Sequence, residues 1–451
     1  MRDVIAAVAT GKIPCAIGIL RLSGQGCSEV ADRVFVPDCG KPIAHLKPRM
    51  LYLGKVYDRF GRIIDQAMVV YCPAPHSYTG EDTVELQCHG SPAMLASALE
   101  ALLQAGARQA GPGEFTKRAF LNGQLDLTQA EAVIDLIDAQ TAEAAANAAG
   151  QLGGALLQRI EPIYEDMTDL CSHFHAVLDY PDEDIADFEL QELEETLERS
   201  DRALKALLAT YEQGRFLKQG VKAVLLGKPN VGKSSLLNAL AGYDRVIVTE
   251  IAGTTRDTVE ETLRLGKVLL RLTDTAGMRN AEDPIEALGV ERSRQAAGEA
   301  ELAIFVCDGS EALGAEDRLA MEAAKGAACA IALINKCDQG SYVRPEELPF
   351  ETVFSVSAKT GEGLERLRAF VEERFGGGPR IDGSILTNPR QFGALCRAGE
   401  AIARARRNAG LTPDALLTDV ECAMEALGEV IGRTVREDIT DRIFARFCVG
   451  K

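Results

Sequence analysis

The sequence predicts a multidomain chain that combines α/β and α+β architectures. An α+β domain comes first, and a helical domain follows, interrupted by an inserted α/β domain. Three observations predict this. Residues 1–118 are rich in short β-like runs separated by turn residues. Residues 220–375 alternate apolar runs with helical patterns. Helical texture flanks that stretch on both sides, at 119–219 and 376–451. An insertion of this kind is tolerated where the ends of the inserted domain lie close together.

In the first segment, residues 16–22, 51–57, 66–71 and 83–88 read as strands, and 91–106 as a helix with Pro92 allowed in its first turn. In the second, Leu127, Ala130, Val133, Ile134 and Ile137 fall at helical spacing and form an apolar stripe, with Asp135 and Asp138 marking its solvent edge. Residues 189–211 read as a second long helix. The acidic stretch 179–187, which contains Pro181, reads as a solvated connector, with a cation site as the alternative. In the third, 221–226, 268–272, 301–307, 329–334 and 352–355 are mostly continuous apolar runs, which suits a parallel sheet buried on both faces. Gly376-Gly377-Gly378-Pro379 punctuates its end, and 392–408 and 413–431 are helical again.

Composition narrows the class. A chain of 451 residues suits about three domains. With 46% hydrophobic and 26% charged residues it can bury a real core, which excludes wholesale disorder. Acids outnumber bases, 67 to 49, for a formal charge of −18, so a general positive field for phosphate backbones is excluded. The 12 cysteines form no C-x-x-C pair, and no secretory signal precedes them, so reduced thiols in a cytoplasmic protein are expected. No apolar run approaches the roughly 20 residues that span a bilayer. Tryptophan is absent and aromatics are only 5%, so no platform for stacking single-stranded bases stands out.

The chemistry concentrates in the third segment. The run 221–226 leads into Gly227-Lys228-Pro229-Asn230-Val231-Gly232-Lys233-Ser234, followed by the helix-forming Leu236, Leu237, Ala239 and Leu240. This G-x-x-x-x-G-K-S pattern wraps backbone amides around phosphates. Lys233 reaches the β- and γ-phosphates, and the Ser234 hydroxyl ligates Mg²⁺. Asp274-Thr275-Ala276-Gly277 ends a strand: Asp274 can hold the Mg²⁺ shell, and the Gly277 amide can face the γ-phosphate. Asn335-Lys336-Cys337-Asp338 ends another. A carboxylate there accepts two hydrogen bonds from guanine and none from adenine, so Asp338 argues for GTP. Ser357-Ala358-Lys359 can pack over the base edge. Singly these motifs are weak; in this order on strand ends they specify a Ras-like P-loop GTPase domain.

Two parts of a Ras-like switch are missing. The position that orients the attacking water is Met278, so another group must do so: Glu282, Asp283 or Glu286, or a group from a partner. The developing phosphoryl charge also needs a cation. Arg256 and Arg279 are candidate fingers. Alternatively, the Asn230 side-chain oxygen and the loop 249–257 can hold a monovalent ion by oxygen ligation.

These residues, with Ala241-Gly242 and the loop through Asp257, resemble the TrmE-Era-EngA group of GTPases. Gly18-Ile19-Leu20-Arg21-Leu22-Ser23-Gly24, Ser77-Tyr78-Thr79-Gly80-Glu81-Asp82, Gly111-Pro112-Gly113-Glu114-Phe115-Thr116, Leu125-Asp126-Leu127 and the final Cys448-Val449-Gly450-Lys451 narrow the resemblance to the MnmE (TrmE) family of tRNA modification GTPases. It runs essentially end to end. It implies an N-terminal folate-binding and dimerising domain, a helical domain, and a G domain inserted within it. It also implies a homodimer whose GTP hydrolysis is stimulated by K⁺ and by G-domain dimerisation. With the FAD-containing protein MnmG, it would modify C5 of the wobble uridine of certain tRNAs. The carbon would come from 5-formyl- or methylene-tetrahydrofolate, and the product would be of aminomethyl type.

Residue by residue, the resemblance implies that GTP is contacted by Asn230, Val231, Gly232, Lys233, Ser234 and Ser235, by Thr249, Glu250, Ile251, Ala252, Gly253, Thr254 and Thr255, by Asp274, Thr275, Ala276 and Gly277, by Asn335, Lys336 and Asp338, and by Ser357, Ala358 and Lys359. It assigns K⁺ to Asn230, Thr249, Ile251 and Thr254, and Mg²⁺ to Ser234 and Thr255. Glu286 becomes the catalytic acid that orients water. Folate lies near Arg21, Glu85, Gln124 and Lys451. Gln124 stands where the family usually has Lys, which removes one positive charge from the folate's acidic tail, and Gly11-Lys12-Ile13-Pro14-Cys15 also departs from the family's pattern.

Two cysteine readings stay open. Cys448, in an expected mobile tail beside the Lys451 ammonium, is either a reactive thiol or a small packing residue in the folate pocket. Cys171 and His175 share a helix face while His173 points elsewhere, but two ligands do not make a zinc site. The rival functions are a ribosome-assembly GTPase that binds structured RNA, and a folate enzyme whose G domain only regulates it. The helical, acidic flanks closed by Cys-x-Gly-Lys favour the tRNA enzyme.

Overall fold

Alternation of buried and exposed side chains builds the first sheet. A computed structural model describes residues 3–11, 13–179, 190–243, 260–273, 294–340, 342–377, 381–408, 413–434 and 437–450. Its N-terminal part contains β1 (Ile5–Val8), β2 (Cys15–Ser23), α1 (Cys27–Asp32), β3 (Phe35–Pro37), β4 (Tyr52–Tyr57), β5 (Ile63–Cys72), β6 (Thr83–Gly90), α2 (Pro92–Gln104), β7 (Arg108–Gln109) and α3 (Glu114–Leu121). The strands form one sheet in the order β3-β4-β5-β6-β2-β1-β7. Leu20, Leu22, Val56, Val69, Val84 and Leu86 point inward to meet Val30, Ala31, Leu95 and Leu102 of the helices. The other face leaves Val36, Leu53 and Met68 48%, 46% and 43% exposed.

Four strands match the runs read from sequence; β2, β5 and β6 extend beyond them by two to four residues, and β4 starts one residue later. β1, β3 and β7 were not legible, because a strand of two to four residues carries too few positions to show a period.

The chain continues through α4 (Leu127–Asp138), α5 (Ala142–Leu152), α6 (Ala155–Asp179), α7 (Leu190–Leu208) and α8 (Tyr211–Gln219). Two expectations about α4 are corrected. Asp135 does not mark a solvent edge: its side chain is only 10% exposed and pairs with Lys218 Nζ at 2.6 Å. Ile137, assigned to the apolar stripe, is 47% exposed. The acidic connector falls outside the described residues from position 180 onward.

The α/β segment comprises β8 (Val221–Leu226), α9 (Lys233–Tyr243), β9 (Glu260–Leu265), β10 (Val268–Thr273), β11 (Leu302–Asp308), α10 (Ala315–Ala324), β12 (Cys329–Asn335), β13 (Val353–Ser355) and α11 (Leu364–Phe375). The sheet order is β13-β12-β11-β8-β10-β9. Strands β13, β12, β11, β8 and β10 run parallel, as the apolar runs predict. β9 corrects the all-parallel expectation, since it pairs antiparallel with β10 across a hairpin. Separate apolar clusters cover the two faces, one around Leu225, Ile304 and Leu333, the other around Leu226, Phe305 and Ile334.

The last helices are α12 (Pro389–Asn408), α13 (Pro413–Ile431) and α14 (Glu437–Phe444). The chain gathers into two compact units, Met1–Ile134 with Gln151–Leu204 and Gly393–Lys451, and Asp135–Gly150 with Lys205–Phe392. In the first unit α13 packs along α6, and α14 packs on α3. Phe444 and Phe447 are buried with Ala130 against Phe120. No helix among the described residues is long and apolar enough to cross a membrane. All twelve cysteines are free thiols.

Candidate functional site

The phosphate loop runs from the end of β8 to the start of α9. Asn230 takes a left-handed conformation, with φ at 63°, and its side chain is exposed. Gly232 has φ at 97°, and a Cβ there would sit 2.3 Å from Asn335 Nδ2, so only glycine fits. Ser234 and Ser235 are exposed in the first turn of α9, where the helix dipole favours an anion. Lys233 folds back to donate from Nζ to the carbonyls of Gly227 and Lys228. Burial holds its ammonium below the usual lysine range. A phosphate would replace those two carbonyls as its partner.

The end of β12 reaches the same loop. Asn335 is 1% exposed; its Nδ2 donates to the Val231 carbonyl at 2.8 Å, and its Oδ1 accepts from the Ala358 amide at 3.1 Å. Thus Asn335 braces the phosphate loop and the Ser357–Lys359 loop against each other. Asp338 is exposed, and Ser357 Oγ donates to its Oδ1 at 2.7 Å, which orients the carboxylate. Lys336 adopts φ at 63° and directs Nζ to Asp308 Oδ2 at 2.5 Å. Asp308 carboxyl burial acts to raise its pKa, but the Lys336 and Ser310 hydrogen bonds outweigh burial and hold it below the usual carboxylate range.

Sequence reasoning missed two supports of this pocket. Asp308, at the end of β11, sits inside no nucleotide motif. Lys228, an unspecified position of the loop pattern, pairs with the buried Asp317 at 3.2 Å and with Glu311 at 3.5 Å. The structure therefore brings together 230–235, 335–338 and 357–359. Thr249, Glu250, Ile251, Ala252, Gly253, Thr254, Thr255, Asp274, Thr275, Ala276, Gly277 and Glu286 lie outside the described residues, as do Met278, Glu282, Asp283, Arg256, Arg279 and Lys451.

A second cluster lies in the N-terminal domain. Arg21 on β2 faces Glu85 on β6 across the antiparallel register, with Nε to Oε1 at 2.7 Å. The Arg21 guanidinium also lies over the rings of Tyr78 and Phe115, 5.4 and 5.7 Å from their centroids. The Tyr78 hydroxyl meets Thr116 Oγ1 at 2.9 Å. Gln124 approaches Gly80 of the 77–82 loop. Buried Arg118 binds Asp3, Glu81 and Glu114, which ties the floor of this region together.

The C-terminal tail docks on the same domain. The Gly113 amide donates to the Cys448 carbonyl at 3.2 Å, and Val449 bridges Pro112. Gly450 lies so close to the Val8 carbonyl that a Cβ would sit 2.3 Å away. The expectation of a mobile tail is therefore corrected: Cys448 is exposed but its backbone is held.

The family model described as the GTP-binding protein TrmE N-terminus matches residues 4–124, and the one described as the MnmE helical domain matches residues 127–448. The tRNA modification GTPase MnmE of Aquifex aeolicus (strain VF5) is 42% identical over 454 residues, covering 100% of both chains. The proteins of the same description from Roseiflexus sp. (strain RS-1) and Symbiobacterium thermophilum are 42% and 43% identical, each covering 100% of this chain and 99% of their own. The chain belongs to the tRNA modification GTPase MnmE family.

Proposed function

We propose that this protein hydrolyses GTP in the service of tRNA modification. It acts as a cytoplasmic homodimer with the FAD protein MnmG on C5 of the wobble uridine. The observation that carries the nucleotide reading is the Asn335 brace, which sets Asp338 and the phosphate loop at one pocket. Guanine offers the two donors that an oriented Asp338 carboxylate accepts, and adenine leaves that carboxylate unpaired.

The residue types assigned to this site suit two metals. Ser234 offers a hydroxyl to Mg²⁺ at the head of α9, with Thr255 as its second ligand by family pattern. Asn230 presents an exposed amide oxygen, suited to K⁺ together with Thr249, Ile251 and Thr254. Mg²⁺ and K⁺ would supply charge stabilisation at the phosphates. Glu286 is assigned the placement of the attacking water.

Arg21 and Glu85, with Tyr78 and Phe115 beside them, fit a tetrahydrofolate derivative: the rings offer an apolar wall, and the ion pair offers polar partners to a pterin edge. That cofactor would supply a one-carbon unit. Gln124 and Lys451 are assigned its acidic tail, and the docked Cys448 adjoins the same domain. The exposed row Val36, Leu53 and Met68 supports the homodimer, because an apolar sheet face of this kind is stabilised by covering it.

The test is nucleoside mass spectrometry of tRNA from a deletion strain with and without this gene. The C5-modified wobble uridine should vanish and return. An unchanged nucleoside profile, with a ribosome-assembly defect instead, overturns the reading.

A further inference from the structure

We propose that Cys171, His175 and Glu421 form a binding site for a borderline-soft divalent metal ion, which by ligand chemistry is zinc. Cys171 and His175 stand one turn apart on α6, so their side chains lie over the same surface. α13 packs along α6 and supplies the ligand that the sequence could not place. His175 Nε2 and Glu421 Oε1 are 3.1 Å apart, and the three candidate ligand atoms all lie within 4.8 Å of one another. Zinc bonds of about 2.0–2.3 Å at tetrahedral angles put ligand atoms roughly 3.3–3.8 Å apart, so small rotations of these side chains close the cage.

The ligand set selects the ion. Sulfur with imidazole disfavours Mg²⁺, Ca²⁺ and K⁺, which take oxygen, and favours zinc and its neighbours. Cys171 is 6% exposed, and burial, then the nearby Glu421 carboxylate, push its thiol up. Binding replaces the Sγ–H bond by a metal–sulfur bond and releases the proton to water. His175 and Glu421 are 50% and 46% exposed, which gives the ion a path inward and leaves the fourth position to water. The ion would pin α6 to α13 in the helical domain, and none of its three ligands is a residue assigned to GTP or folate.

The test titrates the nucleotide-free full-length chain with Co²⁺ and then displaces it with Zn²⁺. One equivalent should produce a thiolate-to-metal charge-transfer band, which zinc then removes. Only a cysteine ligand gives that band, so Co²⁺ at oxygen sites does not mimic it. Cys171→Ala should abolish it, while Cys422→Ser, at the exposed neighbouring thiol, should leave it intact. His175→Ala and Glu421→Gln should each weaken Co²⁺ binding by at least about tenfold. Glu421→Gln is a half-exposed change that keeps the helices packed, so its result stands even where Cys171→Ala misfolds. A missing saturable band, a band that persists in Cys171→Ala, or unchanged affinity in Glu421→Gln overturns the site and leaves a surface His–Glu pair beside a buried thiol.

Discussion

Asn335 Nδ2 donates to the Val231 carbonyl at 2.8 Å, so a strand end braces the phosphate loop across 104 residues of sequence. Because the same side chain also receives the Ala358 amide, its loss would release both loops at once.

Asn335→Ala should therefore weaken GTP and GDP together. It leaves the buried Val231 carbonyl and the half-buried Ala358 amide without this partner, at a cost of up to about 1–3 kcal/mol each. Calorimetry against both nucleotides and a thermal melt check this. Wild-type affinity for both would show that the brace is structural decoration.

Asp338→Asn replaces an acceptor pair by a mixed donor and acceptor. Affinity for GTP should fall roughly ten- to hundredfold, the worth of a charge-assisted hydrogen bond. Xanthosine triphosphate, which carries an acceptor at C2, should gain. Competition binding with the two nucleotides reads the exchange, and a variant that still prefers GTP refutes the assignment of Asp338 to the base.

Exchange of K⁺ for Na⁺ should slow GTP turnover sharply, because the smaller ion fits an oxygen cage built for K⁺ poorly. Asn230→Ala should remove most of the difference between the salts. Equal wild-type rates in the two chlorides would eliminate the cation cage.

Glu286→Ala should abolish hydrolysis while nucleotide binding survives, since a group that orients water contributes to the transition state and not to the ground state. Single-turnover rates beside equilibrium affinities separate the two. Persistent turnover would move the role to Glu282 or Asp283.

The Asp308–Lys336 pair predicts an acid limit. Asp308 is held below the usual carboxylate range, so its stabilisation is fully present above about pH 3.9 and is lost as pH falls through the lower folded value. Asp308→Asn should cost about 1–3 kcal/mol at neutral pH and flatten the acid limb of the Tm profile. A parallel downward shift at every pH would assign the pair no role in acid sensitivity.

The nucleotide site was legible because its chemistry is local. The loop 227–234, the 335–338 turn and the 357–359 turn each hold their chemistry within a few consecutive residues at strand ends, and apolar runs locate those ends. β9 was less legible because Glu260, Glu261, Thr262 and Arg264 dilute its apolar positions, as befits an edge strand. Asp135 misled because an acid beside an apolar stripe reads as solvent-facing, whereas its partner Lys218 lies on another helix.

Sequence alone located the strand ends of the α/β segment and the loops that follow them, since spacing along the chain encodes what neighbouring residues can do. Tertiary structure decided that Asn335 braces Val231, that the Cys448 tail is seated at Gly113, and that Glu421 joins Cys171 and His175. Those partners are far apart in sequence. They meet through the summed packing of whole helices and the register of whole sheets, which no local period reports.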